Sequence, residues 1–125
     1  MRKRLLCFVA LLTVAALGPA SAAPARTLPY RATLAAPTHT PAVNTRWRYT
    51  VHVTNREGQG VPASLRVYVL ENGRRVNTIG WHGTKGTFSQ TIRWPSSTRG
   101  HSLIFRVWVI ATGGTTKLSY WVKPR

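Results

Sequence analysis

The residues of this chain whose types could do chemistry are four histidines, two glutamates and a set of basic and aromatic side chains in its second half. Histidine ligates zinc or copper when two or three rings converge. None of the four stands at a His-x-His or His-x-x-x-His spacing. His52 falls on the polar side of an alternating segment, while His39, His82 and His101 fall in or beside loops. Loops at one end of a small β domain can meet, so His39, His82 and His101 are the candidate metal ligands, and solvated loop histidines are the alternative. Glu57 and Glu71 are the whole acidic complement, each in a turn beside an arginine (Arg56, Arg74), and there is no Asp. A paired-carboxylate acid–base site, a Ser-His-Asp arrangement and a calcium cage all lack parts. Cys7 is the sole cysteine, and no G-x-S-x-G and no glycine-rich loop opening a helix is present. These absences point away from an enzyme, from any cofactor and from a specific nucleic-acid partner.

The third constellation is Arg66, Tyr68, Arg106, Trp108, Lys117, Trp121 and Lys123, and only strand parity can bring it together. From residue 30 onward no helix-period pattern of useful length occurs. Instead, period-2 alternation is broken by Gly, Pro and Asn about every ten residues, as expected for a sandwich or barrel. In 46–54, Trp47, Tyr49, Val51 and Val53 point one way and Arg48, Thr50, His52 and Thr54 the other. The expected strands are 30–35, 46–54, 61–70, 74–81, 87–94, 101–111 and 115–123. Segments 37–44, 55–60, 82–86 and 95–100 are read as loops or turns. Asn72-Gly73 suits a two-residue hairpin because both positions tolerate positive φ, which sets Glu71 opposite Arg74 and Val69 opposite Val76. Gly113-Gly114 as a second such loop sets Val109 opposite Leu118, Val107 opposite Tyr120 and Phe105 opposite Val122.

That register sends Arg106, Trp108 and Trp121 to the outer face, with Arg106 opposite Trp121, Trp108 opposite Ser119, Ile104 opposite Lys123 and Ile110 opposite Lys117. Trp108 and Trp121 become diagonal neighbours. Seven short antiparallel strands in about 100 residues indicate an immunoglobulin-like β-sandwich, in which the 61–70 strand lies beside the 101–111 strand and adds Arg66 and Tyr68 to this face. Three readings of the face follow: a ligand surface that binds anions and stacks sugars or bases, a self-contained cation–aromatic ladder, or a surface covered by a protein partner or a second copy.

The first residues speak to compartment. Arg2, Lys3 and Arg4 precede an apolar run from Leu5 to Leu17, and Ala20-Ser21-Ala22 is a small-residue cleavage site. This is a signal-peptide pattern for residues 1–22, with cleavage after Ala22 or Ala23. The run is too short to span a bilayer, which takes roughly 20 residues. Residues 23–29 read as a flexible leader and 30–125 as one domain. The expected location is outside the cell or at its envelope, with no transmembrane segment in the mature protein. The 125-residue chain carries a formal +16, and without Arg2, Lys3 and Arg4 fifteen basic residues face two acidic ones, a net +13. Such a field attracts polyanions. An anionic cell-envelope polymer or acidic glycan is therefore the leading partner, and arginine retained for solubility is the plain alternative.

A resemblance adds to the fold reading. Ala36-Pro37-Thr38-His39-Thr40-Pro41, the run Asn44-x-x-Trp47-x-Tyr49-x-Val51-x-Val53-Thr54 and Gly60-Val61-Pro62-Ala63 resemble small secreted bacterial immunoglobulin-like domains. Trp94-Pro95 and Arg99-Gly100 before Leu103-x-Phe105-x-Val107 fit the same group. More remotely the pattern is similar to YtkA-like domains and invasin-type repeats. These are turn and core residues, so the resemblance implies a fold and transfers no catalytic residue. Copper-handling sandwiches are cousins in shape, but their Met-rich ligand sets have no counterpart after residue 1.

Overall fold

Alternation of apolar and polar side chains decides which side of each strand is buried, and the computed structural model follows that alternation through residues 27–125, which are the residues it describes. The signal-peptide assignment for 1–22 and the first part of the leader lie outside the described residues. Seven strands form: β1 (Tyr30–Ala35), β2 (Arg46–Asn55), β3 (Pro62–Glu71), β4 (Arg74–Lys85), β5 (Thr87–Arg93), β6 (Leu103–Ala111) and β7 (Gly114–Val122), with one 3-10 turn at Ser96–Thr98. They build two antiparallel sheets, in the orders β1-β2-β5 and β4-β3-β6-β7. This is an immunoglobulin-like sandwich in which the fourth strand belongs to the larger sheet rather than beside β5.

Trp47, Tyr49, Val51 and Val53 of β2 face Leu65, Val67, Phe105, Val107 and Val109 across the interior, all with no exposed surface. Trp47 is the centre of the aromatic packing, edge-on to Phe105 at 5.1 Å and to Trp94 at 5.4 Å between centroids. Its indole N–H donates to the Thr38 carbonyl at 2.9 Å, so the buried polar group is satisfied. Tyr30 closes one end: its hydroxyl donates to the Gly114 carbonyl at 2.9 Å, joining β1 to the β6–β7 turn.

Several expectations are corrected. The β6–β7 turn is Thr112-Gly113, not Gly113-Gly114, so Val107 pairs with Leu118, Phe105 with Tyr120 and Leu103 with Val122. The slip is two residues, which preserves every face and changes every neighbour. Leu28 and Pro29 pack against this turn: a Cβ on Gly113 would lie 2.4 Å from Pro29 Cγ and one on Gly114 2.8 Å from Leu28 Cδ2. These glycines make room for the Leu28–Pro29 segment as well as turning the chain.

The loop expected at 82–86 is strand. β4 continues to Lys85, pairing with β3 down to Pro62, and Gly86 alone links it to β5. Asn72-Gly73 does place Glu71 opposite Arg74, but Val69 pairs with Asn77 rather than Val76. Two irregularities insert an extra residue each into β4, Val76 and Ile79, and Gly80 at φ 146° carries the backbone through the second. Segment 39–43 is loop as expected, yet it is tied to the chain end. Lys123 N–H donates to His39 O at 2.8 Å, Arg125 N–H to Pro41 O at 2.9 Å, and Val43 N–H to Arg125 O at 3.0 Å.

Candidate functional site

The outer face of β4-β3-β6-β7 is organised in rows that run across the strands. In one row Trp81, Arg66, Trp108 and Lys117 stand opposite one another in turn, an alternation of aromatic ring and cation. The next row is Thr78, Tyr68, Arg106 and Ser119, and the one beyond it is Arg75, Leu70, Ile104 and Trp121. β-branched and aromatic residues suit a pleated surface, and cross-strand neighbours only about 5 Å apart put each long cation against a ring.

The cations lie on the rings. The Arg66 guanidinium carbon is 5.1 Å from the Trp81 centroid, that of Arg75 is 4.6 Å from Tyr68, and Lys117 Nζ is 5.0 Å from Trp108. Each contact is worth about 0.5–1 kcal/mol at an exposed site, more where water is excluded. The Trp108 indole N–H donates to the Tyr68 hydroxyl. Arg75 and Trp108 thus cover Tyr68, which is only 6 % exposed although it points away from the core. Arg106 Nε donates to Ser119 Oγ at 3.1 Å. Among the described residues Arg66 Nε is buried without a hydrogen-bond partner.

Five of the seven expected site residues, Arg66, Tyr68, Arg106, Trp108 and Lys117, come together in this way. Trp121 stands on the same face in the row beyond, diagonal to Arg106, and Lys123 does not join them. The register puts Trp108 opposite Lys117 rather than Ser119, Arg106 opposite Ser119 rather than Trp121, Ile110 opposite Thr115 rather than Lys117, and Ile104 opposite Trp121 rather than Lys123. Trp108 and Trp121 are therefore four residues apart along the sheet, roughly 13 Å, and are not diagonal neighbours. Trp121 turns to the sheet edge instead, where His39 stacks on it at 4.0 Å and 9° and on Tyr120 at 3.9 Å and 10°. Lys123 lies past the end of β7, its backbone held by His39. Sequence reading missed Trp81 and Arg75, because the length and irregular register of β4 hid which of its residues face outward. The Asn72-Gly73 hairpin fixed the pairing only next to the turn.

The candidate metal ligands do not converge. His39 is packed on β7 with Nδ1 2.6 Å from Trp121 O. His82 is within strand β4, stacked on Phe88 at 4.6 Å, and His101 Nδ1 lies 2.7 Å from Glu71 Oε2. Among the described residues no three His, Cys, Asp or Glu side chains gather as a metal site would require. The continuation of β4 through residue 85 removes the loop that was to bring His82 to the others.

No family model matches the chain, and no curated protein does. Among solved structures it is similar to the CARDB domain of a Pyrococcus furiosus protein, determined in solution by NMR. The two are 22 % identical with a TM-score of 0.46, and the match covers 77 % of this chain and 94 % of that one. At that identity and overlap nothing about the site passes from one to the other. Among the described residues no helix is long and apolar enough to cross a membrane.

Proposed function

We propose that this protein is a secreted, non-enzymatic binding module that holds an anionic polymer of the cell envelope on the outer face of β4-β3-β6-β7. The observation that carries the reading is the row Trp81–Arg66–Trp108–Lys117. Cations fixed over rings have already lost much of their side-chain freedom, so less entropy is lost when they receive a ligand. Arg66 and Lys117 stand two strands apart, about 10 Å, with Arg106 in the adjoining row, a spacing that one extended polymer can reach with several charges. Both Glu residues lie off these rows: Glu57 in the β2–β3 turn and Glu71 at the end of β3, 2.7 Å from His101. The rings carry their own cations, so the face suits phosphate, sulfate or carboxylate better than a stacked sugar.

The test separates this face from net charge. Retention on heparin and on polyphosphate is measured across a salt series for three proteins: the parent, Arg66→Ala/Arg106→Ala/Lys117→Ala, and Arg31→Ala/Arg46→Ala/Arg48→Ala on the other sheet. Both triples lose three charges. The first is expected to elute at much lower salt than the second. Equal elution would assign retention to overall charge and remove the site.

A second reading is favoured by Trp81 and Trp121, exposed by 58 % and 53 %. Here a protein partner or second copy covers the face. Light scattering at rising salt distinguishes it, since an aromatic interface predicts an oligomer that salt does not disperse.

A further inference from the structure

The sandwich is open along one side. β4 and β5 are consecutive strands of different sheets, and below Gly86 no backbone ladder joins them. A cavity of about 510 Å³ lies there, walled by Val69, Val76, Ile79, Ile92, Trp94 and Leu103. That volume falls within the range of small-molecule sites, which are mostly apolar with a few polar groups that fix orientation.

Two independent features point to an occupant. The first is in β4. Both residues inserted by its irregularities, Val76 and Ile79, line this cavity, and Val76 is 53 % exposed. Bulges re-aim side chains and are common beside binding sites. The second is charge. Arg93 is one of the residues at the cavity rim. Arg93 donates to the Asn44 carbonyl at 2.9 Å, and Glu71, the carboxylate that lines the cavity, is engaged by His101 at 2.7 Å. With Glu71 so engaged, Arg93 is the lining cation left for an acidic head group.

We infer that the cleft between β4 and β5 binds an amphiphilic anion, with its apolar chain against Val76, Ile79 and Ile92 and its acidic head at Arg93. This site is on the opposite side of β4 from the cation–aromatic rows and stands or falls independently of them.

Dodecanoate, dodecanol and dodecyltrimethylammonium, all below their aggregation limits, are titrated by calorimetry into the parent chain and three variants. Val76→Trp and Asn77→Trp fill the cleft from exposed positions, and Arg93→Gln removes the head contact. The inference expects saturable binding of dodecanoate, at least tenfold weaker in both Trp variants and several-fold weaker in Arg93→Gln, with dodecanol weaker and the ammonium not bound. Unchanged melting temperatures certify the variants. No saturable dodecanoate binding, or equal binding by the parent and both Trp variants, overturns the site. Dodecanol or the ammonium binding as tightly as dodecanoate overturns the assignment of the head group.

Discussion

Gly60 and Gly86 meet backbone to backbone where the chain passes from β4 in one sheet to β5 in the other: a Cβ on Gly60 would lie 2.8 Å from Gly86 Cα. The same corner is held by Val53 N–H to Gly86 O at 2.7 Å, Val61 N–H to Val53 O at 3.1 Å, and Gly86 N–H to Val61 O at 3.2 Å. Gly86, at φ 96°, is the single residue between β4 and β5. The crossover that makes β4 part of the larger sheet, and so brings Trp81 beside Arg66, depends on two absent side chains.

Replacing Gly60 with Ala forces these backbones apart and is expected to cost about 2–3 kcal/mol, the upper part of the range for overpacking. Gly73→Ala is the comparison. It has φ 79° with nothing within 4 Å of its added Cβ, so backbone strain of about 1–2 kcal/mol is its whole penalty. Urea denaturation of both variants measures the difference, and equal midpoints would refute the close-approach argument.

Trp47→Phe removes both the indole edge contacts and the hydrogen bond to Thr38. Lost volume plus an unmatched carbonyl predicts about 2–4 kcal/mol of destabilisation. The same denaturation experiment reads it, and a loss under about 1 kcal/mol would mean that the site repacks.

Arg66→Lys keeps the charge but not the planar group that lies on Trp81. A lysine is a mobile, strongly hydrated point charge. If the row binds polyanions, affinity for polyphosphate should fall about three- to tenfold, with a salt slope close to the parent's because the count of cations is unchanged. Titration at several salt concentrations separates intercept from slope. An unchanged intercept would show that the ring contributes nothing to binding.

Alkaline pH should unfold this protein through its tyrosines. Burial raises the Tyr49 phenol above its ordinary value, and does the same to Tyr30 and Tyr120. The unfolded chain releases these protons near pH 10 while the folded chain keeps them. Above about pH 10 the unfolded state therefore binds fewer protons, and stability falls as pH rises. The contribution is complete below that value and lost above it. Melting temperatures between about pH 8 and 11 should drop steeply at the upper end, and less steeply in Tyr49→Phe, which loses its hydrogen bond to Gln90 but has no proton to release. Parallel curves would assign the alkaline loss to other groups.

Parity along the strands was legible from the residues themselves. Trp47, Tyr49, Val51 and Val53 had to share a face, and so had Phe105, Val107 and Val109, because side chains alternate with period two and only one face of each strand could be buried. All seven strands and the outward set of Arg106 and Trp108 follow from that local rule, while the β3–β6 adjacency that adds Arg66 and Tyr68 came from the topology of the sandwich. What local pattern could not decide was which residue stands opposite which. A slip of two leaves every apolar residue buried, so alternation is blind to it, and the Thr112-Gly113 turn sits against Leu28 and Pro29, which are far away in the chain. The two inserted residues of β4 and the approach of Gly60 to Gly86 are likewise contacts between distant segments. They fixed the company of Trp108, gave Arg66 its ring at Trp81 and opened the cleft beside Trp94, because register and crossover are set by steric fit between strands rather than by the hydrophobicity of any one of them.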